Sequence, residues 1–163
     1  MKLKIELIPQ TAFYSNLRKN ISQKNWAKLG DQVRANAKYK CEICGSDGKN
    51  QVFTTRGSIK GTLDCHEIWA YNEKNHTQTL KGFIALCHDC HMIKHIGLAK
   101  IHASKGLGNM DKLIEHFMKI NKLKRSDFDK HYEESFEVWR NRSQFKWNTN
   151  LSKWKDLVIL KPN

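Results

Sequence analysis

The residues best suited to chemistry stand together between Cys87 and His95, where a C-x2-C pair, Cys87 and Cys90, runs directly into an H-x3-H pair, His91 and His95. A C-x2-C turn places two sulfurs on one edge of a tetrahedron, and an upstream copy, Cys41 and Cys44, supplies the other edge. Four such thiolates predict a structural zinc site. Its ligands bind deprotonated, so the metal contributes to folding directly. The 42 residues between Cys44 and Cys87 exceed the spacer of a simple ribbon, which implies a hairpin inside the loop. Two separate redox pairs are the other reading, but no thioredoxin-like context surrounds them.

The histidines point to a second metal. His91 and His95 are four apart, so on a helix both imidazoles share a face and can bind one cation. His66 stands in a strand-like stretch and can supply a third ligand from across the fold. Three neutral imidazoles leave positions open for water and a phosphate oxygen, as a hydrolytic Mg2+, Mn2+, Ni2+ or Zn2+ ion requires. Glu67, beside His66, is a candidate general base. His76 and His88 are spare candidates for a base or a phosphate contact. The His66-Glu67 pair is not an H-E-x-x-H zinc motif, because position 70 is Ala.

These side chains need elements to hold them. Leu3, Ile5 and Leu7 alternate with charged residues, the period of a half-buried strand over 2–8, ended by Pro9. Ser22 is an N-cap candidate for an amphipathic helix over 23–37, with Trp26, Leu29, Val33 and Ala37 on one face. A short strand over 39–45 should enter the first knuckle. Glycines at 45, 48, 57 and 61 mark a loop-rich hairpin over 45–62. A strand follows over 62–68, then an exposed loop over 70–78, a second strand over 83–86, and a helix from about 89 to 96 with Gly97 as cap or kink. Farther on, Leu113, Ile114, Phe117 and Met118 form one helical stripe. Ser126 should cap another helix with Phe128, Tyr132, Phe136 and Trp139 on its apolar face. Trp147, Leu151, Trp154, Leu157 and Ile159 predict an aromatic tail folded back on the core.

At 163 residues and 39% hydrophobic, the chain is sized for one globular domain. No apolar run approaches the ~20 residues of a membrane span. The N-terminus lacks the apolar core of a signal peptide. The expectation is therefore a cytoplasmic protein with no membrane partner. In that compartment five cysteines favour metal over disulfide, and the fifth, Cys65, reads as a small buried residue. The net charge of +13 divides as +8 over residues 1–60, zero over 61–100 and +5 over 101–163. Basic flanks around a neutral metal-rich centre favour a polyanion, with nucleic acid the commonest. Lys24, Lys28, Arg34 and Lys38 on the first helix, and Lys119, Lys122, Lys124 and Arg125 near the later helices, are the candidate backbone contacts.

The motif set Cys41-x2-Cys44, His66-Glu67 and Cys87-x2-Cys90-His91-x3-His95 resembles the HNH endonuclease family, the ββα-metal nucleases that carry a four-cysteine zinc finger. The resemblance covers about residues 38–97 and rests on order, spacing and residue type together. It implies an α+β fold in which a small ββα-metal core is stapled by zinc. Flanks over 10–37 and 98–163 would complete a single domain over 1–163. It implies that His66, His91 and His95 hold the catalytic divalent ion. Glu67 stands where the family has its general-base histidine, so the catalytic set is Glu67, His66 and His91. The family's middle asparagine falls at Gly82, and Asn72, Asn75 and Gln78 are out of register. The activity implied is metal-dependent hydrolysis of DNA phosphodiesters, with RNA also possible. Nicking is expected from a monomer, with paired cuts needing a homodimer. Two other readings compete: a non-catalytic zinc-dependent nucleic-acid binder of the same fold, and an interaction module using Trp139, Trp147 and Trp154.

Overall fold

The computed structural model describes residues 1–50 and 62–156. The glycines at 57 and 61, most of the hairpin expected over 45–62, and the tail positions Leu157 and Ile159 lie outside these residues. The described chain is mixed α and β. Six helices surround a three-stranded sheet of order β1-β2-β3. No described helix is long and apolar enough to cross a membrane.

The sheet is built on one antiparallel hairpin. Strand β1 (Asp64–Asn72) pairs with β2 (Thr77–Leu86) from Asp64 opposite Leu86 to Asn72 opposite Thr77, with a register shift at Ile68/Trp69. The hairpin overturns the loop expected over 70–78. Polar letters hid it: Gln78 is buried because its amide donates to Thr149 Oγ1 at 2.8 Å. Thr149 lies on β3 (Asn148–Asn150), which adds to β2 in parallel. Gly82 stands opposite Ile68, beside the register shift.

Helices cover both faces of the hairpin. On one side, α1 (Leu17–Asn20) and α2 (Gln23–Asn36) enclose Leu17, Ile21, Leu29 and Leu80, flanked by Trp26, Trp69, Phe83 and Trp154. Ser22 caps α2 as expected, accepting from Asn25 N at 3.2 Å. On the other side lies the larger core, with Ile93, Ile96, Leu113, Phe117 and Phe128. These come from α3 (His88–Lys94), α4 (Ile96–Ser104), α5 (Met110–Asn121) and α6 (Arg125–Arg142). The stripes expected on α5 and α6 are the packed faces. The N-cap of α6 is Lys124, not Ser126, because Asp127 reaches back to Lys124 N at 2.9 Å. Of the cap or kink expected at Gly97, the structure has a kink, placed two residues earlier. The chain bends at His95 (φ −103°, ψ 46°) and a new helix starts through the glycine.

Two expected strands are absent. Residues 2–8 alternate as a strand does, with Leu3 and Ile5 buried, but no strand among the described residues pairs with them. Their backbone is satisfied by helix groups: Asn121 Oδ1 accepts from Lys2 N and Leu3 N, His131 Nε2 accepts from Ile5 N, and Lys94 O accepts from Glu6 N. Residues 39–45 form turns, entered through left-handed Lys38 and Tyr39 (φ 53° and 54°). Glu42 fastens this knuckle to the end of β2: its N–H donates to Ala85 O and its carboxylate accepts from Ala85 N.

Candidate metal centres

The latch at Glu42 brings the first C-x2-C to the second. All four sulfurs of Cys41, Cys44, Cys87 and Cys90 lie within 4.8 Å of one another. Cys44 and Cys87 are 3.5 Å apart, against about 3.8 Å for a tetrahedral edge with zinc–sulfur bonds of about 2.3 Å. Cys41, Cys87 and Cys90 are buried. Contact with Cys41 and Cys44, ahead of burial, pushes the Cys90 thiol far above its ordinary range. Four sulfurs packed this closely cannot all ionise by themselves, and a divalent cation would supply the missing charge. The donor set, spacing and burial fit zinc. Cys65 stands apart, and burial pushes its thiol up to about 12, so it remains a neutral packing residue.

Cys87 is also the N-cap of α3, and that placement sets the histidines. One turn later comes His91, and at the C-cap comes His95. The β1 strand turns His66 toward them. The three side chains form a cluster with ligand atoms within 4.8 Å of one another, and their ring centroids are 4.9 to 5.2 Å apart. Burial, then His91 and His66 nearby, pushes His95 well below its ordinary value; burial also lowers His66, opposed by Glu6. Neutral imidazoles are the ligating form. The arrangement fits a divalent ion with three nitrogen ligands and room for others.

Two carboxylates outside the expected set hold this cluster. Asp64 lies two residues before His66, on the same face of β1. Its Oδ2 accepts from His91 Nδ1 at 2.9 Å and from His88 Nδ1 at 3.1 Å. Burial pushes Asp64 up, but the two imidazoles outweigh it and hold the carboxyl well below the usual range. A carboxylate on Nδ1 fixes a ligating histidine's tautomer and leaves Nε2 for the metal. Asp64, His88 and His91 also form a compact set of their own. The second carboxylate is Glu6, whose Oε2 lies 3.7 Å from His66 Nε2 while Oε1 pairs with the buried Lys94 at 2.7 Å. Burial pushes Glu6 up; His66 and Lys94 more than offset it and hold the carboxyl at about 2. The alternation along β1 could have singled out Asp64. Glu6 reaches the site from 60 residues upstream, and no local pattern marks it.

Glu67 is not with the histidines. One residue after His66, it faces the opposite side of the sheet, toward α1. Its Oε1 accepts from Arg18 N at 2.9 Å and its Oε2 from Trp69 Nε1 at 2.9 Å. Burial raises its pKa. Both oxygens are therefore occupied, Oε1 in holding α1 to the sheet and Oε2 by the Trp69 indole on the same strand, and the geometry does not give Glu67 the general-base position expected for it. His76 sits at the far turn of the hairpin, stacked on Phe145 at 4.2 Å.

The basic candidates divide. Lys24, Lys28 and Lys38 are exposed on or just after α2, and Lys119, Lys122, Lys124 and Arg125 are exposed around the α5–α6 turn. Arg34 is half-buried and structural in part, donating to Leu63 O at 3.2 Å and Asp31 Oδ1 at 2.7 Å. Trp139, Trp147 and Trp154 form no exposed patch. Trp139 Nε1 donates to Ile8 O, Trp147 Nε1 donates to Arg142 O, and Trp154 packs on Phe83 at 4.9 Å.

No protein-family model, no curated protein and no solved structure matches this chain. The resemblance noted above therefore rests on the motif residues, and the chemistry of the site rests on its geometry.

Proposed function

We propose that the chain is a metal-dependent phosphodiesterase acting on nucleic acid, with DNA the first substrate to try. The observation that carries this is the His66, His91 and His95 cluster, placed beside a four-cysteine cluster that shares helix α3. The cysteines would hold zinc and fix the start of α3. The histidines would hold a divalent ion with open positions. Such an ion supplies Lewis acidity toward a phosphate oxygen and lowers the pKa of water. The protein's own part is to keep the imidazoles neutral and oriented. Asp64 holds His91 by Nδ1, and burial keeps His66 and His95 uncharged. In this account Glu67 anchors α1 and takes no proton. A net charge of +13 suits a polyanionic substrate.

A second reading, nucleic-acid binding without cleavage, is favoured by one observation: Glu67 is consumed in structural contacts. Supercoiled-plasmid cleavage discriminates. The zinc-loaded chain is incubated with Mg2+, Mn2+, Ni2+ or Zn2+, alongside His66→Ala and Glu67→Gln. Nicking that needs an added ion, disappears in His66→Ala and persists in Glu67→Gln is the expected outcome. Retardation of DNA with no nicking under any metal would replace the enzyme by the binder.

A further inference from the structure

Beside the histidine cluster a cleft of about 160 Å³ opens where α1 and α2 pass the start of β1. Its lining includes Arg18, Arg34, Trp26, Asp64, Cys65 and His91. This volume far exceeds the ~10–15 Å³ that one ordered water needs. It falls short of the ~300 Å³ at which sites for drug-sized ligands begin. A group of a few heavy atoms fits; a whole nucleotide does not.

The chemistry of the walls selects an anion. Arg18 and Arg34 bring two guanidinium groups, each with five donors in a planar fork suited to phosphate. Arg34 spends donors on Leu63 O and Asp31 and so is held in place. Arg18 lies over the Trp26 ring at 5.8 Å, and its backbone N–H is fastened to Glu67. The lining carboxylate, Asp64, has its Oδ2 engaged by His88 and His91. His91 belongs both to the cleft and to the histidine cluster, so an anion lodged here lies against the metal centre.

We propose that this cleft is the phosphate subsite of a nucleic-acid strand, with Arg18 as its principal contact. The ligand class rests on the phosphodiesterase reading; the anion site does not. Neither arginine belongs to the motif residues, and Arg18 lies 23 residues before the first knuckle cysteine.

Two measurements on the zinc-loaded full chain, without further divalent metal, test it. In the first, the Trp26 indole N–H resonance is followed while inorganic phosphate is added. A saturable shift, lost in Arg18→Ala and regained in part in Arg18→Lys, is expected. In the second, binding of a fluorescein-labelled DNA duplex is measured by anisotropy against salt. Arg18→Ala should weaken binding about tenfold and flatten the salt slope by about 1. Arg140→Ala removes the same charge from the exposed surface of α6 and should change affinity less than about twofold. An unmoved Trp26 resonance, or equal losses in the two variants, would overturn the proposal. A Trp26 shift from a chain that nicks no plasmid would keep the anion site and discard only the hydrolase.

Discussion

Asp64 is the residue on which the histidine centre turns, because one carboxylate oxygen receives two imidazole nitrogens. Asp64→Asn keeps the size and removes the charge. Loss of such an outer partner costs metal affinity about 10- to 100-fold. Calorimetric titration of Mn2+ into the chain carrying a single zinc, at the cysteines, should show that loss, and an unchanged affinity would mean that Asp64 does not orient His91. Glu67 makes the opposite case. Glu67→Ala removes the acceptor of Arg18 N and of Trp69 Nε1, and leaving the half-buried Trp69 donor unpaired costs about 1–3 kcal/mol. Urea unfolding should register this cost while Mn2+ affinity stays within about twofold. A loss of metal binding at unchanged stability would return Glu67 to the site. Residue identity alone did not separate these two carboxylates. Strand alternation did, since Asp64 and His66 share a face and Glu67 takes the other.

Among the elements, α3 is short but carries the design: Cys87 caps it, Cys90 and His91 occupy its first turn and a half, and His95 ends it. This much was legible from spacing, because C-x2-C and H-x3-H have few other uses. The Ser22 cap and the apolar faces of α2, α5 and α6 were legible from helical period. What escaped was the structure fixed by distant partners. Strand β1 runs past Ala70 because Tyr71 packs on Trp147, and β2 begins early because Thr149 satisfies Gln78. The N-terminal segment keeps a strand's alternation without a strand partner among the described residues, and its donors go to Asn121, His131 and Lys94. One of these contacts titrates. Burial, opposed in part by Glu134, lowers the pKa of His131, whose Nε2 must be unprotonated to accept from Ile5 N. A depressed histidine pKa contributes stability above the unfolded value of ~6.5, and that contribution is lost as pH falls through the lower folded value. Hydrogen exchange at Ile5, corrected for its intrinsic rate, should lose protection as pH falls below ~6.5. Protection constant down to pH ~5 would contradict the contact.

The whole molecule joins two cores through one hairpin, with the four cysteines and three histidines at the end where β1 starts and β2 finishes. Helix α3 contributes to both residue clusters, so a metal at the cysteines would hold the frame in which the histidines converge. Segments from both ends of the chain complete this arrangement. Glu6 reaches His66 from the N-terminal side, and Trp147 and β3 brace the hairpin from the other. The chain carries a net charge of +13 while the segment holding the metal residues, 61–100, is neutral, a balance that favours an anionic partner. The account depends on the histidines holding an ion separate from the zinc of the cysteines. Native mass spectrometry of the chain loaded with Zn2+ counts those ions directly. Two per chain in the wild type and one in His66→Ala is the predicted result. One ion in both proteins would contradict the account, leaving a zinc-stapled fold with no second metal centre.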